Sequence, residues 1–270
     1  MAAPNYIFKR IVIINMESAA WRTSFNGNTF HIRFEVPFDS DTTPNEVTVQ
    51  IFNLSDQTVK RFSKNMNVTI QAGYEGNYGV LSRGKIQSFR TYREGVDRIT
   101  EIKIIDGRDT SAKTLKKNET FKAGSKGEAI LRRIAEEMLG IRITEMKLPT
   151  NKEFKKGYVV SGSPMSHLVS VAKECGASVF WKRGLLVIRS LKEEVKEKMY
   201  LSEGTGLISS PEYFEEEGVK GYRFKSLLQH KAVPGTLVEF KSLTSNGQYR
   251  LRKGKHTCNG SEFTTEGEVI

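Results

Sequence analysis

Apolar and polar side chains alternate along most of the first 110 residues. In FHIRFEVPF, Phe30, Ile32, Phe34 and Val36 fall on one face and His31, Arg33 and Glu35 on the other. EVTVQIFNL repeats the pattern with Val47, Val49 and Ile51. Period-two alternation of this kind predicts half-buried strands. YIFKRIVIIN (Tyr6 to Asn15), NVTIQAGY, GVLSRGKIQSFRTY and DRITEIKIID complete a set of six, the last two joined by the turn REGV. SDQTVKRF (Ser55 to Phe62) predicts one short helix, with Ser55 as its N-cap. Six strands and one helix point to a small barrel or sandwich.

The period changes at about residue 111. In FKAGSKGEAILRRIAEEMLG, Ile130, Leu131, Ile134, Ala135, Met138 and Leu139 form a stripe at helical spacing. Ser125 and Glu128 have capping-box spacing, and Gly140 stands where a helix would stop. A strand, IRIT, follows. SPMSHLVSVAKECG predicts a second helix, with Ser163 as N-cap, Pro164 at its first position and Gly176 at its end. Leu168, Val169, Ala172 and Cys175 are its expected buried face. ASVFW and LLVI then pair around Lys182-Arg183-Gly184. LKEEVKEKMY reads as a charged connector. From Gly206 the β pattern returns in GLIS, VKGYRFKSLL, TLVEFKS, GQYRLRKGKHTC and FTTEGEVI, with Pro234-Gly235 and Asn246-Gly247 as turns. The expected plan is a β domain over 1–110, an α/β module over 111–190 and a β domain over 191–270.

Composition bounds the function. With 38% hydrophobic and 10% aromatic residues, the 270-residue chain can build real cores. No apolar run approaches a membrane span, and MAAPNYIFKR has no apolar signal core. The chain is expected to fold in a cytosol without membrane insertion. The net charge of +11 admits nucleic acid, an acidic surface or an acidic protein as partner. The basic residues are interleaved with acids, as in KEEVKEK, and are densest between Arg108 and Lys156 without an aromatic ladder.

Candidate chemistry is sparse. His31, His167, His230 and His256 form no zinc motif, and no GxSxG or GxxxxGK[ST] occurs. Cys175 and Cys258 lack metal spacing and read as small buried hydrophobes. Cys175 and His167 lie eight residues apart on one helix, about 12 Å in rise, beyond hydrogen-bond reach. GYEGNYG, with Gly73, Gly76 and Gly79, precedes a strand and so reads as a hairpin turn, not a phosphate cradle. Asp106 and Asp109 in DGRD, and Asp39, Asp41 and Glu46 in DSDTTPNE, read as polar turns rather than calcium loops. No catalytic, cofactor-binding or metal-ligating residue is assigned, and no cofactor is expected.

Taken in order, TFKAGSKGEAILRRIAEEMLGI and GYVVSGSPMSHLVSVAKECGASVFWKRGLLVI resemble the central module of phage tail baseplate hub proteins. That group includes the late control protein D of P2-like phages and the hubs of prophage-like and tailocin particles. Val49 to Ser55 and Val68 to Gly76 fit the N-terminal part. Gly206, Leu207, Pro211, Leu227, Leu228, Pro234, Gly235, Val238, Gly247, Tyr249 and His256 fit the C-terminal part. The resemblance covers nearly the whole chain, although 270 residues is short for the group.

The resemblance implies an α+β, mainly β fold: two tail-tube-like antiparallel β-barrels joined by the α/β module. It implies a late virion structural protein and not an enzyme. A homotrimeric ring would join the hexameric tail tube to a threefold spike or tip, with the module as a brace. The implied partners are further copies of the chain, the tube protein, the spike or tip protein and the tape-measure protein, with DNA only as passing cargo. The implied location is the tail baseplate, after assembly from the host cytoplasm. A wall hydrolase domain follows the hub in some relatives; here the chain ends at Ile270, so lytic activity is expected of another protein. Two other readings compete. A basic nucleic-acid-binding β protein would need a groove lined by aromatics such as Tyr74, Tyr78 and Tyr92. A wall-degrading enzyme would need distant carboxylates or a nucleophile pair to converge.

Overall fold

Alternating β-branched and aromatic residues make strands here because one face of each has a core to enter. The computed structural model describes residues 9–108, 110, 113–193, 198–216 and 218–270. The first region contains β1 (Arg10–Glu17), β2 (Arg22–Asn26), β3 (Ile32–Phe38), β4 (Asn45–Phe52), helix α1 (Asp56–Val59), β5 (Asn67–Tyr74), β6 (Asn77–Glu94) and β7 (Asp97–Asp106). Ser55 caps α1, its hydroxyl accepting from Thr58 N. Gly73 pairs with Tyr78 in the β5–β6 hairpin, so GYEGNYG is a turn. β2 has too little apolar pattern to stand out in the sequence.

The middle region contains β8 (Glu119–Phe121), β9 (Ser125–Lys126), α2 (Gly127–Arg132), β10 (Ile143–Lys147), β11 (Glu153–Phe154), β12 (Tyr158–Val160), α3 (Pro164–Glu174), β13 (Ser178–Lys182) and β14 (Leu185–Arg189). α2 runs directly into π-helical turns over Arg133–Leu139, ended by Gly140 at φ 69. β10, β14 and β13 form a small sheet, with β10 parallel to β14. The last region contains β15 (Lys198–Ser202), β16 (Glu212–Glu216), β17 (Val219–Leu227), β18 (Leu237–Lys241), β19 (Asn246–Asn259) and β20 (Glu262–Val269).

The first and last regions share one sheet. Its order is β16-β17-β20-β19-β3-β4-β7-β6-β5-β1-β2, with β18 and β15 branching from β19. The link is the antiparallel pair β19–β3, from Gly254 opposite Phe38 to Cys258 opposite Phe34. The fold is therefore α+β and mainly β. Three apolar cores lie on it. The first, around Ile14, Val49, Ile70 and Ile102, also takes in Leu228, Cys258 and Phe263 from the last region. The second belongs to the middle region and holds the whole predicted stripe from Ile130 to Leu139. The third, around Leu201, Phe240 and Leu251, takes in Phe38 from the first region. Each β core is thus completed by side chains from the other.

Several local expectations are corrected. Ser125 is not a helix cap: it sits in β9 and its hydroxyl donates to Lys122 O. Asn151 supplies the missing acceptor, taking the Glu128 N–H at 3.0 Å, while the Glu128 carboxylate pairs with Arg132. Ser163 occupies the N-cap position of α3 but makes no side-chain cap bond. Val169 faces solvent and Val171 is buried in its place. Asn246 and Gly247 lie within β19, opposite Lys241 and Phe240, and the turn before them is Ser242–Ser245. Lys198–Ser202, expected partly as connector, is strand β15. Tyr6 to Phe8, Asp109 and residues 194–197 lie outside the described residues.

Phe263 tests the shared core. It packs edge-on to Tyr74 at 5.4 Å and to Phe34 at 6.4 Å. Phe263→Ala should lower the unfolding free energy by about 3–5 kcal/mol, read by urea denaturation. Val96→Ser, at a hairpin tip where Val96 is 98% exposed, should change it by less than about 0.5 kcal/mol.

Candidate functional site

The β13–β14 hairpin is where the three regions meet. Arg183 and Gly184 both have positive φ, 54° and 78°, the backbone a tight two-residue hairpin turn demands. This brings the turn flat against the first region. A Cβ on Gly184 would overlap the Arg83 carbonyl oxygen and come within 3.0 Å of Asp106 Oδ1. Trp181 donates its indole N–H to Thr42 O at 3.0 Å, and its ring covers Gly107. On the other side, the Arg183 guanidinium donates to His230 O at 2.8 Å. Arg189, with no exposed surface, donates to Pro234 O at 3.1 Å. Its Nε lies 3.2 Å from the Glu145 carboxylate, and its guanidinium carbon lies 5.4 Å from the Phe180 ring centre. A buried guanidinium needs such partners, because its desolvation is costly without them. The hairpin therefore carries polar anchors to both β regions.

The same junction holds the titratable groups that burial perturbs most. Asp106, read from the sequence as a turn residue, is the buried last residue of β7. Burial pushes its carboxyl up to about 7, helped by the neighbouring Asp39 carboxylate and opposed by Ser82 and Arg83. Burial pulls His230 down to about 4, with Arg183 and Lys231 acting in the same direction. It pulls His256 down to about 3, and His256 Nδ1 lies 2.9 Å from Thr265 Oγ1. Both imidazoles are neutral at pH 7.

The other candidate residues have structural partners. His31 stacks on Phe52 at 4.2 Å. His167 Nδ1 lies 2.9 Å from Tyr158 OH and its Nε2 2.9 Å from Ser161 O. Cys175 and Cys258 are free and buried, and burial pushes the Cys258 thiol up to about 11, away from the reactive thiolate. Asp39 and Asp41 accept from the backbone N–H of Asp41 and Thr43, and Glu46 pairs with Lys103. Tyr74 is buried in the first core, Tyr92 OH accepts from Gln50, and Tyr78 is exposed. Among the described residues, no group of three or more His, Cys, Asp or Glu is placed to hold a metal ion. No described helix is long and apolar enough to cross a membrane.

A cleft of about 580 Å³ lies over the outer face of β17, β20, β19 and the end of β3. Charged residues cross it in alternating rows. Glu216, Arg223, Glu268 and Lys253 form one, and Glu262, Lys225, Glu266 and Lys255 the other. Exposed pairs of this kind add little to stability, because water screens them. Their joint effect is to neutralise this face of a basic protein.

Two outcomes are expected at the junction. Gly184→Val should lower stability by about 2–4 kcal/mol, from a strained φ and the overlap with Arg83, read by chemical denaturation. Asp106 gives a pH signature. Its folded pKa, about 7, lies above the ordinary 3.8. The native carboxyl keeps its proton in that window while the unfolded one has lost it, so this contribution falls as pH rises from about 4 to about 7. Asp106→Asn should therefore gain on the wild type between pH 4 and 8, by on the order of 2–4 kcal/mol in urea titrations. The two histidines work oppositely: their contribution is lost as pH falls below 6.5 towards about 4 and about 3.

Known proteins resemble this chain in fold rather than sequence. No protein-family model matches it. No curated protein matches it. Among solved structures, the tail protein from Neisseria meningitidis MC58 is 9% identical with a TM-score of 0.67, covering 97% of this chain and 96% of its own. The 43 kDa tail protein of prophage MuSo2 from Shewanella oneidensis has the same identity and TM-score, covering 97% and 98%. The E. coli c3393 protein has a TM-score of 0.66 at 9% identity, covering 88% of this chain and 73% of its own. It is described as a type VI secretion component with structural similarity to the T4 bacteriophage tail proteins gp27 and gp5. The fold of this chain is thus that of phage tail and tail-like proteins, which agrees with the resemblance read from its sequence.

Proposed function

We propose that this chain is a structural, non-enzymatic hub of a phage tail tip or phage-tail-like particle. Residues 1–110 and 191–270 would be its two tube-like β-barrel domains, and 111–190 the module that sets the angle between them. Three copies would close a ring, each presenting two similar β units and so meeting a hexameric tube on one side and a threefold spike or tip on the other. The partners are the tube protein, the spike or tip protein and the tape-measure protein, with DNA passing through. The chain would reach the virion baseplate after folding in the host cytoplasm.

The observation that carries this reading is the end-to-end likeness to tail proteins, spanning both β regions and the module between them. The junction supports it as well. The β13–β14 hairpin spends its polar groups on holding two β regions together, and the described histidines and cysteines are occupied or buried.

The test is the solution mass of nucleic-acid-free protein by light scattering. A species near three times the 30.5 kDa chain mass is expected at physiological salt, persisting at high salt. A monomer at every concentration that binds nucleic acid, and releases it at high salt, would overturn the hub in favour of the basic nucleic-acid-binding protein.

A further inference from the structure

The tip of the β13–β14 hairpin covers the end of β7. Gly184 stands over Asp106 Oδ1, and the Trp181 ring stands over Gly107. Asp106 is 4% exposed, and its Oδ1 has no hydrogen-bond partner among the described residues. A carboxylate held there is costly, because neither water nor a donor replaces its hydration. The groups around it come from several elements. The Asp39 carboxylate, just after β3, disfavours the charge and is itself coupled to Asp41. Ser82 and Arg83 on β6 favour it. Asn45, opposite Asp106 on β4, is neutral. In the hairpin turn, Lys182 reaches towards Glu145, and Arg183 is spent on His230 O beside the neutral imidazoles of His230 and His256.

The hairpin is held differently on its two sides. Towards the last region, Arg183 and Arg189 donate to the main-chain carbonyls of His230 and Pro234, groups that do not titrate near neutral pH. Towards the first region, the Trp181 indole bonds Thr42 O, and the turn packs over Asp106. We propose that this hairpin is a pH-operated latch: its tip lies closed over the first region while Asp106 is protonated, and lifts when Asp106 ionises. Lifting the tip admits water to the carboxylate and gives up one indole hydrogen bond and local packing. Unfolding the region would give up a whole core, so the local opening is the cheaper response. The sign follows from the raised carboxyl. Opening becomes easier as pH rises from about 4, and levels off above about 7. The latch is independent of the hub reading; in a hub it would free the module from one of the two β regions it braces.

The experiment follows Trp181 in the full chain. Trp21, the other tryptophan, is replaced by Phe in every protein. Acrylamide quenching is read from about pH 5 to about pH 8, above the titrations of His230 and His256. Far-UV circular dichroism is recorded at each pH. Trp181 is 4% exposed in the closed form, and its quenching constant is expected to rise at least about twofold across the window, with unchanged dichroism. Asp106→Asn is expected to keep the low value throughout, since an amide does not ionise. Asp39→Asn removes a charge that opposes ionisation, so its rise is expected to end at a lower pH. This second variant decides the matter if Asp106→Asn does not fold. A flat wild type would overturn the latch. So would an equal rise in Asp106→Asn, an Asp39→Asn profile that does not move, or a rise accompanied by loss of the far-UV signal.

Discussion

The pairing of β3 with β19 is the constraint on which the rest of the molecule depends. It joins residues more than two hundred positions apart, Phe34 to Cys258 and Phe38 to Gly254. Without it the chain would have two β regions with incomplete cores. With it, Phe263 and Cys258 close the first core and Phe38 enters the third. The long strand β19 makes this possible. Its first half pairs with β18, and its second half lies between β20 and β3, with a register shift between Leu251 and Lys253. A bulge there lets one strand turn from one β region into the other. Bringing such distant segments together costs chain entropy before it is rewarded, so this contact is expected to form late in folding.

The middle region sits across that joint. Its own core, from Phe121 to Ile188, is separate from the other two. It therefore reaches its neighbours through polar anchors: Trp181 on Thr42, Arg183 on His230, Arg189 on Pro234. These bonds have direction, unlike apolar contact, and fix how the hairpin lies. A fully buried arginine adds little net stability compared with a well-packed apolar side chain, yet removing it strands its partners. Such a device fits the proposed hub, in which the module would hold an angle between the β regions.

The sequence made the interior strands legible and the edges much less so. Val47, Val49 and Ile51 alternate because one face of β4 is buried, and that signal is local. The stripe from Ile130 to Leu139 was visible for the same reason, although its second half is π-helical, since a wider turn still keeps one apolar side. β16, with the sequence EYFEE, has no such pattern because an edge strand in water is guarded by charge. The capping box failed because Asn151, twenty-three residues downstream of Glu128, took the acceptor role. The junction was illegible for a related cause. Burial of Asp106 and Arg189 comes from segments far away in the chain, and nothing beside DGRD or LLVIR announces it. The resemblance to tail hubs carried the fold as a whole; it could not place these residues.

The distribution of charge bears on what the protein touches. The net +11 admits nucleic acid as one partner class, but on the outer face of β17, β20 and β19 the side chains of Arg223, Lys225, Lys253 and Lys255 each meet a glutamate. Between Arg108 and Lys156, thirteen Lys and Arg stand against seven Asp and Glu, so more than half of the excess lies on the middle region. Even there Arg132, Arg133 and Lys152 have carboxylate partners. A nucleic-acid groove needs cations whose counterions are released on binding, together with aromatic platforms. Paired cations have little to release, and Tyr74 is inside the first core.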